Sequence, residues 1–81
     1  MKIELSKQAQ KYFSKCPANV QQRFERMFEG ILNGEGDIQK YGNEKNQFRY
    51  KIFHYRAIFA IDKEANVIRI IKIGTRTDIY K

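Results

Sequence analysis

The side chains of this 81-residue chain that could do chemistry lie mainly in its C-terminal half, where cations and a phenol are interspersed with apolar residues. Guanidinium groups bind phosphate oxygens through paired hydrogen bonds, and a tyrosine ring can stack on a nucleobase. A phosphodiester is therefore the ligand that this set favours. Its members are Arg49, Lys51, Arg56, Arg76 and Tyr80.

The same residues could also cleave RNA by attack of its own 2′-hydroxyl. That reaction needs a group that accepts the proton, positive charge at the crowded phosphate and a donor for the leaving oxygen. Arginine supplies charge but cannot act as the base, because it stays protonated in proteins. Lys51 and Tyr80 are the candidate proton carriers, and the residues leave open which is base and which is acid. The alternative interpretation is a solvated strand face, with arginine stems covering the edge of the core.

Three other side chains carry weaker signals. His54 is the sole imidazole, but it falls in a tight connection between two predicted strands, which favours a turn or surface role over general base catalysis. Asp78 either holds Arg76 in place or caps a short terminal turn. Cys16 is the only cysteine, so we expect no disulfide, no metal cluster and no cofactor, and interpret Cys16 as a small buried hydrophobe.

Composition predicts one small basic domain over residues 1–81. Lys and Arg number 16 against nine Asp and Glu, and most of the +7 surplus lies in the C-terminal half. This balance favours an anionic partner, either a nucleic acid or an acidic protein segment. We find neither a long apolar stretch nor a signal peptide in the sequence, and a lone cysteine fits a reducing compartment, so the cytoplasm is the expected location.

The hydrophobic pattern predicts an α+β fold in the order β-α-α-β-β-β. "KIEL" alternates like a short strand, and apolar residues at helical spacing then predict two antiparallel helices, the first capped by Ser6 and ended by Pro17. The second helix is predicted to start near Asn19 and to carry an apolar stripe that includes Leu32. "GEGDIQKYGNEKN" is interpreted as a long surface loop, followed by three strands, "FRYKIF", "YRAIFAID" and "NVIRIIKI". We expect the helical hairpin to pack on a small antiparallel sheet.

Strand geometry brings the chemistry-bearing residues together. Arg49 and Lys51 share one face of their strand because side chains two positions apart point the same way, and Arg56 begins the neighbouring strand. The third strand ends near Gly74, and we expect the tail that carries Arg76 and Tyr80 to fold back toward this charged face.

Three segments then resemble a known family: "MKIELSKQAQKYF", "FRYKIFHYRAIFAID" and "IRIIKIGTRTDIY". The sequence resembles, over nearly its whole length, the RelE/ParE superfamily of bacterial toxins from type II toxin-antitoxin systems. The resemblance implies a compact helical hairpin on a sheet that the opening strand joins. In the RNA-cleaving branch, members enter the ribosomal A site and cut mRNA without metal. The residues here that match that branch's basic set and tyrosine are Arg49, Lys51, Arg56, Arg76 and Tyr80.

From this resemblance we expect a ribosome-dependent mRNA endonuclease of the bacterial cytoplasm, with a cognate antitoxin as partner. Arg56 and Arg76 would stabilise charge on the phosphate, and all four cations would bind RNA. The alternatives are a ParE-like inhibitor of DNA gyrase and a non-catalytic homologue that keeps only its antitoxin-binding surface. Thr75 stands where some members carry a histidine, which argues against an imidazole mechanism. Phe53 and His54 replace the family's common Gly-Asp turn.

Overall fold

The computed structural model describes residues 1–80, and for Tyr80 the backbone alone. Five strands and two α-helices follow one another, and a short 3₁₀ helix closes the described chain. Within residues 1–80, neither α-helix has the length and apolar character needed to cross a membrane. The elements are β1 (Lys2–Leu5), α1 (Lys7–Lys15), α2 (Ala18–Asn33), β2 (Asp37–Lys40), β3 (Gln47–Ile52), β4 (Tyr55–Asp62), β5 (Val67–Thr75) and the 3₁₀ helix (Asp78–Tyr80).

The five strands form one mixed sheet in the order β1-β5-β4-β3-β2. Strands β2 to β5 pair antiparallel, and β1 joins the free edge of β5 in parallel. The α+β class and the order of the predicted elements are confirmed. The expectation of an antiparallel sheet is wrong at β1. This strand pairs in parallel with β5, the last strand of the meander, which comes in the chain only after the two helices and the earlier strands.

The predicted loop "GEGDIQKYGNEKN" contains β2, so the loop interpretation is wrong at Asp37–Lys40. Only Ile38 of this strand is half-buried, and the other three residues are exposed. An edge strand with one apolar residue carries no alternation that a sequence pattern could detect. Its register along β3 places Asp37 opposite Lys51 and Gln39 opposite Arg49.

Local signals in the sequence set the helix ends. The Ser6 side chain accepts a hydrogen bond from the Ala9 amide at 3.1 Å, which caps α1 as predicted. Pro17 precedes α2, and Gly34 ends it in the left-handed conformation at φ 68°. The predicted apolar stripe of α2 is wrong at Leu32, which is 44% exposed because the helix has turned it away from the sheet.

The core lies between the helices and one face of the sheet. Its largest fully buried side chains are Phe24, Met27, Phe59, Ile70 and Ile73. In β3 the half-buried or buried side chains Phe48, Tyr50 and Ile52 pack against this core. Since alternate residues of a strand point to opposite faces, Arg49 and Lys51 lie on the face that the helices leave uncovered.

Cys16 is half-buried against the core, and its thiol donates a hydrogen bond to the Tyr12 carbonyl at 3.3 Å. Burial raises the pKa of the Cys16 thiol, so the reactive thiolate form is disfavoured. The interpretation of Cys16 as a small hydrophobe is supported, although its burial is partial.

Candidate functional site

Two predicted cations meet on the open face of the sheet in direct register. Lys51 of β3 is the cross-strand partner of Arg56 in β4, and Arg49 lies two residues before Lys51 on the same face. The sequence-based expectation that these three residues share one face is confirmed. Arg49, Lys51 and Arg56 form no salt bridge with any residue in the described range 1–80. No carboxylate in this range therefore neutralises their charges through an ion pair.

Arg56 differs from its neighbours because it is only 8% exposed. Its Nη1 donates to the carbonyl oxygens of Phe53 at 2.7 Å and Tyr55 at 2.9 Å. One nitrogen of the guanidinium thus binds two carbonyls of the turn between β3 and β4. The side chain fixes this turn from within, a role that its position in the sequence did not indicate.

Arg49 is oriented by the edge strand that the sequence pattern missed. Its Nη2 donates to Gln39 Oε1 in β2 at 3.0 Å. Its Nε is buried and has no hydrogen-bond acceptor in the part of the chain that the structure describes. Gln39 is thus a positioning residue for Arg49, and the only sequence signal for it is its polar character between Ile38 and Lys40.

Arg76 lies at the same end of the sheet as Arg56. The Arg76 amide donates to the His54 carbonyl at 2.6 Å, so the tail is attached to the turn that Arg56 holds. The Arg76 side chain is exposed. The prediction for Tyr80 concerns a side chain outside the described part of the structure.

The tail folds back over Gly74, as expected from the sequence. Gly74 is the partner of Arg56 in the sheet, and a Cβ built on it would lie 3.4 Å from the Ile79 nitrogen. Ile79 itself is 2% exposed. The backbone of the 3₁₀ helix therefore packs over Gly74 at van der Waals distance, on the side of the sheet that carries Arg56.

Asp78 joins the tail to α1. The Tyr12 hydroxyl donates to Asp78 Oδ2 at 3.3 Å, and the Asp78 amide donates to Thr75 Oγ1 at 3.1 Å. Burial, followed by the negative charge of Asp78, raises the pKa of Tyr12, which keeps this hydroxyl protonated at neutral pH. Asp78 is the first residue of the 3₁₀ helix, and the two roles foreseen for its side chain, holding Arg76 and capping the terminal turn, stay predictions.

We expect Tyr12→Phe to loosen the tail while leaving the core intact. Loss of this hydrogen bond should lower the free energy of unfolding by about 1 kcal/mol and make trypsin cut faster after Arg76. Thermal unfolding and timed trypsin digestion followed by mass spectrometry measure the two effects. Tyr41→Phe is the matched control, because the Tyr41 hydroxyl makes no hydrogen bond within residues 1–80. Equal digestion rates for both variants would contradict the role given to Tyr12.

The turn between β3 and β4 has the position predicted for it. His54 is exposed there, and its ring packs edge-on against Tyr55 at 5.9 Å between centroids. Phe53 occupies the left-handed region at φ 52°, where glycine is usual. The imidazole is thus a turn residue beside the basic face, as the sequence indicated.

The far end of the open face is neutralised, unlike the end near the turn. Arg69 of β5 binds Asp62 at 2.8 Å and Glu4 at 3.9 Å. Near the turn, Asp37 is the carboxylate that the sheet register sets beside Lys51. Positive charge is therefore concentrated where β3, β4 and the tail converge.

Comparison with known proteins agrees with this architecture. The model of a family described as the ParE toxin of the type II toxin-antitoxin system parDE matches residues 3–80. A search of curated protein sequences finds no match.

Several solved toxin structures share the fold at low sequence identity. The isolated Escherichia coli RelE toxin superposes with a TM-score of 0.78 at 17% identity, covering 91% of this chain and 82% of that one. The toxin-antitoxin complex RelBE2 of Mycobacterium tuberculosis gives 0.76 at 20% identity, with 95% and 92% coverage. The RelE-RelB complex of Pyrococcus horikoshii gives 0.73 at 25% identity, with 93% of each chain covered.

Proposed function

The chain belongs to the ParE toxin family of type II toxin-antitoxin systems, and we propose that it acts as a ribosome-dependent endonuclease that cuts mRNA. One observation carries this proposal: Lys51 and Arg56 are cross-strand partners on an uncovered sheet face, and the exposed Arg76 is attached to the same end. In this proposal, the three cations from three segments act on one phosphate.

The reaction that suits this arrangement is attack of a 2′-hydroxyl on the adjacent phosphorus. The new bond joins the 2′-oxygen to phosphorus as the bond to the 5′-oxygen breaks, which leaves a cyclic phosphate and a free 5′-hydroxyl. One group accepts the 2′-proton and another donates a proton to the leaving oxygen. Lys51 or Tyr80 is proposed for these transfers, and the assignment of acid and base stays open.

The arginines have three different roles in this proposal. Arg76 is exposed and stabilises the negative charge that grows on the phosphate oxygens. Arg56 adds positive charge from beneath the surface and positions the turn to which Arg76 is attached. Arg49, oriented by Gln39, binds RNA away from the scissile bond.

We further propose a cognate antitoxin as the physiological partner in the bacterial cytoplasm. The similar structure from M. tuberculosis is a toxin-antitoxin complex, and the one from P. horikoshii is a RelE-RelB complex. An acidic antitoxin segment placed on Lys51, Arg56 and Arg76 would neutralise the charges that RNA needs. Antitoxin and RNA would then compete for one surface, so the antitoxin-bound toxin would be inactive and the free toxin active.

A paired assay on purified protein tests this function. We expect mRNA on programmed ribosomes to be cut while DNA supercoiling by gyrase continues. Lys51→Ala should be inactive. The control Lys63→Ala removes an exposed cation in the distant turn between β4 and β5 and should be fully active. Intact mRNA together with blocked supercoiling would overturn the proposal in favour of the second candidate function, inhibition of DNA gyrase. The ParE name of the matched family is the reason to include this candidate.

A further inference from the structure

Phe53 is an apolar ring in water, held at a backbone position that disfavours it. It is 74% exposed, more than any other large apolar side chain that the structure describes as exposed. Its φ of 52° is rare for a bulky residue and common for glycine. Neither packing in the core nor backbone preference therefore explains why a phenylalanine stands at this position.

The surroundings of Phe53 keep the ring presented outward. Arg56 binds the Phe53 carbonyl from inside the turn, which fixes the backbone that carries the ring. The Arg23 guanidinium of α2 lies 5.6 Å from the ring centroid, a cation–π distance. The ring therefore projects from a braced turn, and a cation lies against it.

The neighbouring groups determine which ligand suits this ring. Lys51 lies two residues before Phe53 in the chain, and the Arg76 amide donates to the carbonyl of His54, the next residue, so the basic face begins at this turn. The ring itself lies against Arg23, on the helix side of the turn. An acidic peptide would need the cations but not an aromatic ring. A single-stranded nucleic acid uses both, since its bases stack on aromatic rings while Arg and Lys bind the intervening phosphates.

We propose that Phe53 stacks on an unpaired nucleobase of an RNA strand that passes from the basic face over the turn between β3 and β4, and that Arg23, on the helix side of this turn, binds a phosphate next to that base. This inference rests on the proposed ribonuclease function and adds to it a base-stacking position outside the residues that act on the scissile bond. Phe53 thereby helps to decide which nucleotide is held beside Lys51.

A short single-stranded RNA with 2-aminopurine at successive positions is the probe. We expect quenching of its fluorescence by the wild-type protein at one position, and retention of that quenching in Phe53→Trp. Phe53→Leu, which keeps apolar bulk without a π-face, and Phe53→Gly should each weaken binding by about 5- to 150-fold, the range for one lost base stack. Leu32→Ala, which truncates another exposed apolar residue, is the matched control and should bind normally.

Folding can be separated from binding in this test. Glycine fits φ 52° without strain, so the melting temperature of Phe53→Gly should stay within a few degrees of the wild-type value. Unchanged RNA affinity in Phe53→Gly would overturn the proposal, as would a loss confined to antitoxin binding. Failure of the proposed function has a different signature, because wild-type protein would then leave ribosomal mRNA intact whatever the stacking variants do.

Discussion

Replacing Arg76 by alanine is expected to slow mRNA cleavage on programmed ribosomes by about 100-fold or more, the typical cost of removing one group that stabilises a transition-state charge. The side chain is exposed, and it is the backbone amide of Arg76 that holds the tail to His54. Alanine keeps that amide. The free energy of unfolding should therefore change by no more than about 0.5 kcal/mol.

Two readouts test the Arg76 prediction together. Single-turnover cleavage should slow by that factor and growth arrest on induced expression should be lost, whereas urea unfolding should be nearly unchanged. Lys63→Ala removes a similar exposed cation far from the site and should remain toxic. Full toxicity of Arg76→Ala would refute the role proposed for this residue.

Replacing Arg56 by lysine should destabilise the protein although the charge is kept. A lysine ammonium at this position cannot reproduce the guanidinium geometry that binds both Phe53 and Tyr55 carbonyls, and because the Arg56 side chain is buried, a charged group there that lacks these acceptors is costly. We expect the free energy of unfolding to fall by about 2 kcal/mol, with a melting temperature lower by roughly 10 °C. Cleavage should fall as well, because the turn anchors Arg76.

Arg69→Lys is the control for this substitution. Arg69 is exposed and binds carboxylates at the far end of the same sheet face, so its replacement should cost less than about 1 kcal/mol. If Arg56→Lys instead unfolds like wild type and cuts mRNA normally, Arg56 acts through charge alone. The positioning role assigned to it would then be wrong.

The sequence predicted elements best where a local chemical signal was strong. Ser6, Pro17 and Gly34 set helix ends through capping and backbone geometry, which neighbouring residues determine. It failed at β2, whose hydrogen bonds to β3 depend on a partner distant in the chain and leave no periodic pattern. Gln39 was missed as a partner of Arg49 for the same reason.

The sequence pattern "VIRIIKI" also gave no indication of a bulge in β5. Ile58 pairs with Lys72 and Phe59 with Ile70, so Ile71 bulges out between them. The bulge shifts the alternation by one residue and lets both Ile70 and Ile73 reach the core. Without it, Gly74 would lie on the helical face instead of beside Arg56.

For the candidate site, alternation placed Arg49, Lys51 and Arg56 on one face, since that depends only on neighbours in the chain. Burial separated Arg56 from the other two, and burial depends on the whole fold. A count of charges treats the three cations alike. The turn carbonyls that bind Arg56 become visible only when φ and ψ of Phe53 and His54 are known.

The parallel pairing of β1 with β5 has a consequence for the newborn chain. Ser6 and Ile71, which are hydrogen-bonded across this seam, are 65 positions apart. Such a distant closure forms late, because its entropy must be overcome before its contacts contribute. During synthesis, β1 has no strand to pair with until β5 leaves the exit tunnel of the ribosome. Arg76 emerges only after β5. A nascent copy therefore cannot assemble the basic face while most of the domain is still being made.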